Sequence, residues 1–232
     1  MYPPFGGYGP YGNYNLGLYG ALVPYGTLNL TVASPPQAFT EPFSLAEAKS
    51  FLRLPSVPLP FTSQDDDLTA MIIAARVQAE LAQCRDLVVK QYDLLLDYWP
   101  GFTIELRPDV RSVDLVQLKD STGALRALVE GTDYVVDKSK RPGVITPPWN
   151  VVTWPVYTPW PSSSLLIRFT CGLASDDMFW SDTGATVKMG MRRLISEWFL
   201  NRLPLAMGKA AMEGYPDVIT AALSYGAVPR VR

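Results

Sequence analysis

Three consecutive acids, Asp65, Asp66 and Asp67, and a second group at Asp176, Asp177 and Asp182 place side chains of one reactive type close together. Clustered carboxylates hold hard divalent cations. Negative charge is also favourable at the first turn of a helix, and the first group stands just ahead of an apolar periodic stretch. Helix capping therefore accounts for Asp65 to Asp67, and a polar loop ahead of a helix beginning near Thr186 accounts for the others. Histidine is absent, which removes the usual general base near neutral pH, the commonest metal ligand and every Ser-His or Cys-His nucleophile pair. Cys84 and Cys171 are the only cysteines, too few for a disulfide framework or a four-cysteine zinc site, and read as two buried free thiols. Gly123 and Gly143 lack phosphate-loop spacing, and the adjacent Arg192 and Arg193 read as a solvated helix face. No enzyme, no cofactor and no metal are expected.

The elements that carry these residues follow from spacing. Ser44 is a natural N-cap and Glu47, three residues on, closes a capping box, so a short helix begins there with Leu45, Ala48 and Leu52 on one face. A second helix follows Asp65 to Asp67, with Leu68, Ile72, Ala75, Ala79 and Leu81 as its apolar stripe. The two are expected to pair. A third helix spans 191–202, with Leu194, Ile195, Trp198 and Phe199 facing that pair, and a short fourth starts at Pro216 and runs through Leu223. Gly226 and Pro229 end any helix there. Between the second and third helices, Tyr92, Leu94, Leu96 and Tyr98 alternate with Asp93, Leu95 and Asp97, the period of a half-buried strand. Further strands are expected at 103–106, 113–119, 124–129, 134–137, 144–146 and 165–170, and Asp120-Ser121-Thr122-Gly123 forms a hairpin turn. The fold class is α+β: a small helical bundle with an inserted antiparallel β lobe and extended N- and C-terminal arms.

With 232 residues, 48% of them apolar, the chain can bury one good core and a small second lobe. Twenty Lys and Arg against 22 Asp and Glu, a net charge of −2, give no general attraction to DNA or to anionic membranes. The first residues lack a basic start and their apolar positions are interrupted by Gly and Pro, so no signal peptide is expected. No apolar run is long enough to span a bilayer.

Three segments carry no obvious chemistry yet are unusual in composition. Residues 1–40 contain no charged side chain, seven glycines and six of the twelve tyrosines, Tyr2, Tyr8, Tyr11, Tyr14, Tyr19 and Tyr25. They read as an arm that orders against neighbouring subunits, because rigid amphipathic rings on a permissive backbone adapt to a surface, the alternative being a merely disordered tail. Residues 142–161 hold six prolines together with Trp149, Trp154 and Trp160. These rings admit an alternative reading, a carbohydrate-binding β module of a phage or secreted protein, but Val151, Val152, Pro155 and Val156 between them favour packing on protein. Residues 201–232 carry four cations against two carboxylates, so the end of a net-negative chain is its basic part.

The stretch Glu41-Pro42-Phe43-Ser44-Leu45, continued by Glu47-Ala48-Lys49 and Leu52-Arg53, then Asp65-Asp66-Asp67-Leu68, then Trp198 with Asn201-Arg202, resembles the head-tail connector, or adaptor, proteins of tailed bacteriophages and gene transfer agents. The resemblance spans residues 41–202 and departs from the family pattern in the first forty residues and in the Trp/Pro-rich segment. It implies a structural virion protein at the neck, at the portal vertex, assembled in the host cytoplasm. Copies would form a ring, a dodecamer, that joins the portal to the next neck or tail protein and extends the channel for DNA, which passes without tight binding. The chain then divides into an arm (1–40), a helical hairpin (41–86), the β lobe with its aromatic loop (87–175), C-terminal helices (176–224) and a portal-binding tail (225–232). The resemblance assigns the portal contact to that tail, namely Tyr225, Gly226, Ala227, Val228, Pro229, Arg230, Val231 and Arg232.

Overall fold

A computed structural model describes residues 26–30, 40–54, 64–150, 153–200 and 217–227. Helix α1 (Leu45–Phe51) starts as its sequence dictates: Ser44 Oγ accepts from the Glu47 amide at 3.2 Å and Glu47 Oε2 accepts from the Ser44 amide at 2.7 Å. Two orphan donors are satisfied reciprocally. Lys49 on α1 pairs with Asp65 at 2.6 Å, at the start of α2 (Asp65–Gln83). Gln64 makes no side-chain cap there, so the three aspartates are what complements the helix dipole. Leu68, Ile72, Ala75 and Ala79 are buried as expected, but Leu81 is only half-buried. Two residues beyond Ala79, it is turned about 200° around the axis and leaves the stripe. Cys84 ends the helix in the left-handed conformation, with φ 54°. It is half-buried, which corrects the expectation of two buried thiols; Cys171 is fully buried.

Helix α3 (Thr183–Leu200) begins three residues before the expected Thr186, and α4 (Asp217–Ser224) packs on it. Met191, Leu194 and Ile195 of α3 and Ile219 and Leu223 of α4 join Leu68 and Ile72 in one buried cluster, with Trp198 and Phe199 packed half-buried against it. Arg192 departs from the solvated-face reading. It is half-buried, 3.6 Å from Glu47 and over the Phe43 ring, while Arg193 is exposed.

The β lobe holds a five-stranded antiparallel sheet ordered β1-β2-β8-β4-β5 and a three-stranded sheet ordered β3-β7-β6. The strands are β1 (Gly26–Leu30), β2 (Lys90–Leu96), β3 (Ile104–Glu105), β4 (Val110–Lys119), β5 (Leu125–Ala127), β6 (Val135–Asp137), β7 (Val144–Thr146) and β8 (Leu165–Cys171). β2 and β8 alternate buried and half-buried residues along their whole length. The alternation stops at Leu96; Tyr98 is exposed. β4 starts three residues before its expected position, because register shifts between Val110 and Ser112 and between Val113 and Leu115 break the two-residue period. The Asp120 turn forms as expected, with Asp120 Oδ1 accepting from the Thr122 and Ala124 amides at 2.8 and 2.9 Å. Side chains from both sheets, among them Leu94, Ile104, Ile145 and Ile167, fill one core. Strand β1 comes from within the expected arm and pairs with β2, Leu28 opposite Leu94.

Candidate functional site

The interface elements expected from sequence occupy three places. Of the arm, Tyr2, Tyr8, Tyr11, Tyr14, Tyr19 and Tyr25 lie outside the described residues. The aromatic segment, after β7, has no helix or strand among its described residues and is held by its rings. Trp154 stacks on Trp99 with centroids 4.1 Å apart and 5° between planes, and Tyr157 meets Trp99 edge-on. Trp154 Nε1 donates to Gly101 O at 2.5 Å and Trp99 Nε1 to Pro155 O at 3.3 Å. The returning part of the loop is tied to the β4–β5 hairpin through Ser121 N to Thr158 O, 2.9 Å, and Trp160 N to Lys119 O, 3.1 Å, while Lys119 Nζ lies 4.1 Å from the Trp160 ring centroid. The Trp154 and Trp160 rings are thus engaged by different parts of the lobe. Trp154 and Trp160 each give a ring contact to a neighbour within the chain, while Trp149, 90% exposed, and Val156, 95% exposed, are open at the surface. Stacked sugars need open ring faces, and Trp154 has one of its faces taken by Trp99.

The tail leaves the helical cluster beside the end of α2. The Gln83 side-chain amide donates to Leu223 O and, at 2.9 Å, to Tyr225 O, which fixes the last turn of α4. Gly226 then turns the chain with φ +69°, and a Cβ there would meet Thr183 Cγ2 at 2.5 Å. The helix stop read from Gly226 is thus observed. Tyr225 is 57% exposed, and Val228, Pro229, Arg230, Val231 and Arg232 lie outside the described residues.

A buried ionic cluster joins the bundle to the lobe, and sequence reasoning missed it. Asp86 has no exposed surface. Its carboxylate accepts from Arg107 Nε at 2.6 Å, Lys90 Nζ at 3.0 Å and Tyr92 OH at 3.0 Å. Glu80 accepts from Lys90 Nζ at 2.7 Å, Arg76 Nη1 at 3.0 Å and the Leu87 amide at 3.1 Å. Arg76 continues to Glu41 at 2.9 Å. Three acids thus meet three bases. Burial alone would push the Asp86 carboxyl up; Arg107 and Lys90, by charge and hydrogen bond, outweigh it and hold it below the usual carboxylate range. Burial, then the Asp86 charge, pushes the Tyr92 phenol and the Cys171 thiol well above their ordinary values. Cys171 is therefore an unreactive thiol at neutral pH. Next to the cluster Gly172 has φ +104°, and a Cβ would fall 2.1 Å from Val88 O, so only glycine fits. The one sequence signal was the number of charged residues between positions 76 and 107, which reads as ordinary surface until the fold closes over it.

No group of three or more metal-ligating side chains occurs among the described residues. Asp177 accepts from the Ala174 amide at 2.5 Å and from Arg111 at 3.0 Å, the local pairing of a loop. Among the described residues, no helix is long and apolar enough to cross a membrane.

No protein-family model matches the chain, and no curated protein sequence does. Its fold is found in solved structures. One is a chain in the neck of an empty GTA particle computed with C6 symmetry: TM-score 0.65, 21% identity, 89% of this chain and 97% of that one covered. A chain of the virion of a native gene transfer agent (GTA) particle follows, with TM-score 0.62, 19% identity and coverages of 88% and 97%. A chain in the neck of a native GTA particle computed with C12 symmetry gives TM-score 0.55, 19% identity and coverages of 84% and 98%. The α+β fold is thus that of chains in GTA particles, matched over nearly their whole length.

Proposed function

We propose that this chain is a structural protein of the neck of a tailed phage or gene transfer agent, a head-tail connector whose role is mechanical and not catalytic. The likeness to a GTA neck chain, which takes in nearly all of both chains, carries the reading. The C6 and C12 symmetries of the neck structures support assembly as a ring, and a dodecamer in particular. In this reading copies assemble beneath the portal at the capsid vertex, extend the DNA channel and present a platform to the next neck or tail protein.

The tail from Tyr225 to Arg232 is the portal-binding element. Gly226 and Pro229 keep it from continuing α4, so it is free to add to a portal strand or lie in a groove between portal subunits. Each tail contributes little alone, but a ring offers many copies at high effective concentration, and modest single affinities become a durable joint. The arm tyrosines clamp adjacent subunits, and Trp149 with Val156 offers the aromatic loop to a neighbour. A net charge of −2 suits a conduit that DNA passes through without tight binding.

Electron-microscopy class averages of the protein with and without the portal test this. A ring seated on the portal, with twelvefold features, is the expected outcome; an absence of added density on the portal would refute it.

A further inference from the structure

Between the lobe and the turn that precedes α3 lies an open cavity of about 490 Å³ that none of the interface elements above uses. Arg85, Arg111, Lys138 and Arg141 line it, against Asp109 and Asp177. Four cations face two carboxylates, a local positive excess in a chain of net charge −2. Internal ion pairs do not cancel it. Asp109 is shared, 3.5 Å from Arg85 Nε and 3.1 Å from Arg141 Nε, and Asp177 takes Arg111 at 3.0 Å. Lys138 is exposed.

Arg85 makes the cavity more than a basic patch. Its side chain is 6% exposed, and Nε faces Asp109 Oδ2 at 3.5 Å as an ion pair without a hydrogen bond between them. A guanidinium this deeply desolvated is under-compensated by one shared carboxylate. Burial holds its pKa below the usual guanidinium range; Asp109 opposes that and Arg141 adds to it. An incoming anion would supply the missing charge. The walls also carry carbon: Arg85 lies over the Phe179 ring at 5.1 Å, Leu173 is buried beside it, and Met178 is 87% exposed.

We propose that this cavity binds a carboxylate side chain of an acidic, partly apolar segment of a partner protein, with Arg85, Lys138 and Arg141 facing the carboxylate and Met178 and Phe179 packing on its apolar neighbours. Duplex DNA offers rows of evenly spaced phosphates, which a concave pocket with apolar walls does not track. One pocketed anion beside carbon matches an acidic peptide. The inference stands on the cavity and is independent of the neck assignment.

The test is fluorescence anisotropy at physiological salt with a labelled peptide of alternating Glu and Leu. Its Gln-for-Glu counterpart and a short labelled DNA duplex are the competing probes. The wild-type chain is expected to bind the Glu peptide and to hold the other two at least about tenfold more weakly. Joint Lys138→Ala and Arg141→Ala substitution, at exposed positions, should weaken the Glu peptide by a similar factor at an unchanged melting temperature, whereas Arg193→Ala should not. In a parallel NMR titration with the Glu peptide the Arg85 Nε–H resonance should shift. No binding of the Glu peptide, equal binding by the doubly substituted chain, or a preference for the duplex would each overturn the proposal.

Discussion

Asp86 shows how a single residue ties two halves of this molecule together. It lies in the connection from α2 to β2, yet its partners come from β2 and from the segment between β3 and β4. Replacing it with Asn would remove the carboxylate that the buried Arg107 shares with Lys90, which keeps Glu80; breaking a buried pair in this way typically costs about 3–5 kcal/mol. The urea midpoint at pH 7 should fall accordingly. The same carboxyl sets an acid limit. Its folded pKa lies below the ordinary value, so the stability it contributes is present above the unfolded value of about 3.9 and is lost as pH falls through the folded one. Stability measured against pH should therefore drop below about pH 4, and Asp86→Asn should make that slope shallower. An identical acid slope in the variant would remove Asp86 from the account.

At the scale of elements, the aromatic segment and the tail differ in how they are held. The segment after β7 is fixed by ring stacking and by hydrogen bonds from two indoles to backbone carbonyls. Trp154→Ala should lower stability by about 1 kcal/mol beyond lost burial, the usual worth of an aromatic pair. It should also erase the near-UV circular dichroism of two parallel indoles, so an unchanged near-UV spectrum would mean that the stack does not persist in solution. In the tail, Tyr225, Gly226 and Ala227 are held by Gln83, by the close approach to Thr183 and by the Ala227 amide donating to Ser224 O at 3.0 Å. Removing residues 227–232 should leave the melting temperature unchanged while abolishing attachment to DNA-filled heads. Attachment at the full-length level would refute the proposed portal contact of the tail.

For the whole molecule, the proposed ring raises the question of what would drive it. The surface is near neutral overall, and much of the chain's unusual composition lies in its arm and tail and in the aromatic loop. A ring built through such segments needs a template. Light scattering of the isolated protein should give mainly monomer or small oligomers, with rings appearing when portal is added. A stable ring at micromolar concentration without any partner would contradict the dependence on portal.

What sequence alone determined was everything governed by separations of a few residues. The capping box is a contact between positions 44 and 47, the strand periods are contacts with i+2, and the turn at Asp120 is closed by its own side chain. Such rules act before the chain folds, so seven of the eight strands, the capped helix and the stop at Gly226 were legible. The partners of long-range groups were not. Glu41 finds Arg76 across 35 positions, Asp97 finds Ser163 across 66, and β1 was invisible because an edge strand is chosen by the free edge of β2 as much as by its own residues. Lys138 and Arg141 are close neighbours in the sequence, but their meeting with Arg85 and Arg111 around one cavity exists only in the fold. A charged side chain reads the same whether it faces water or a buried counter-ion. Only the closing of the lobe onto the helices, which removes the water, decides which of them become structure and which remain surface.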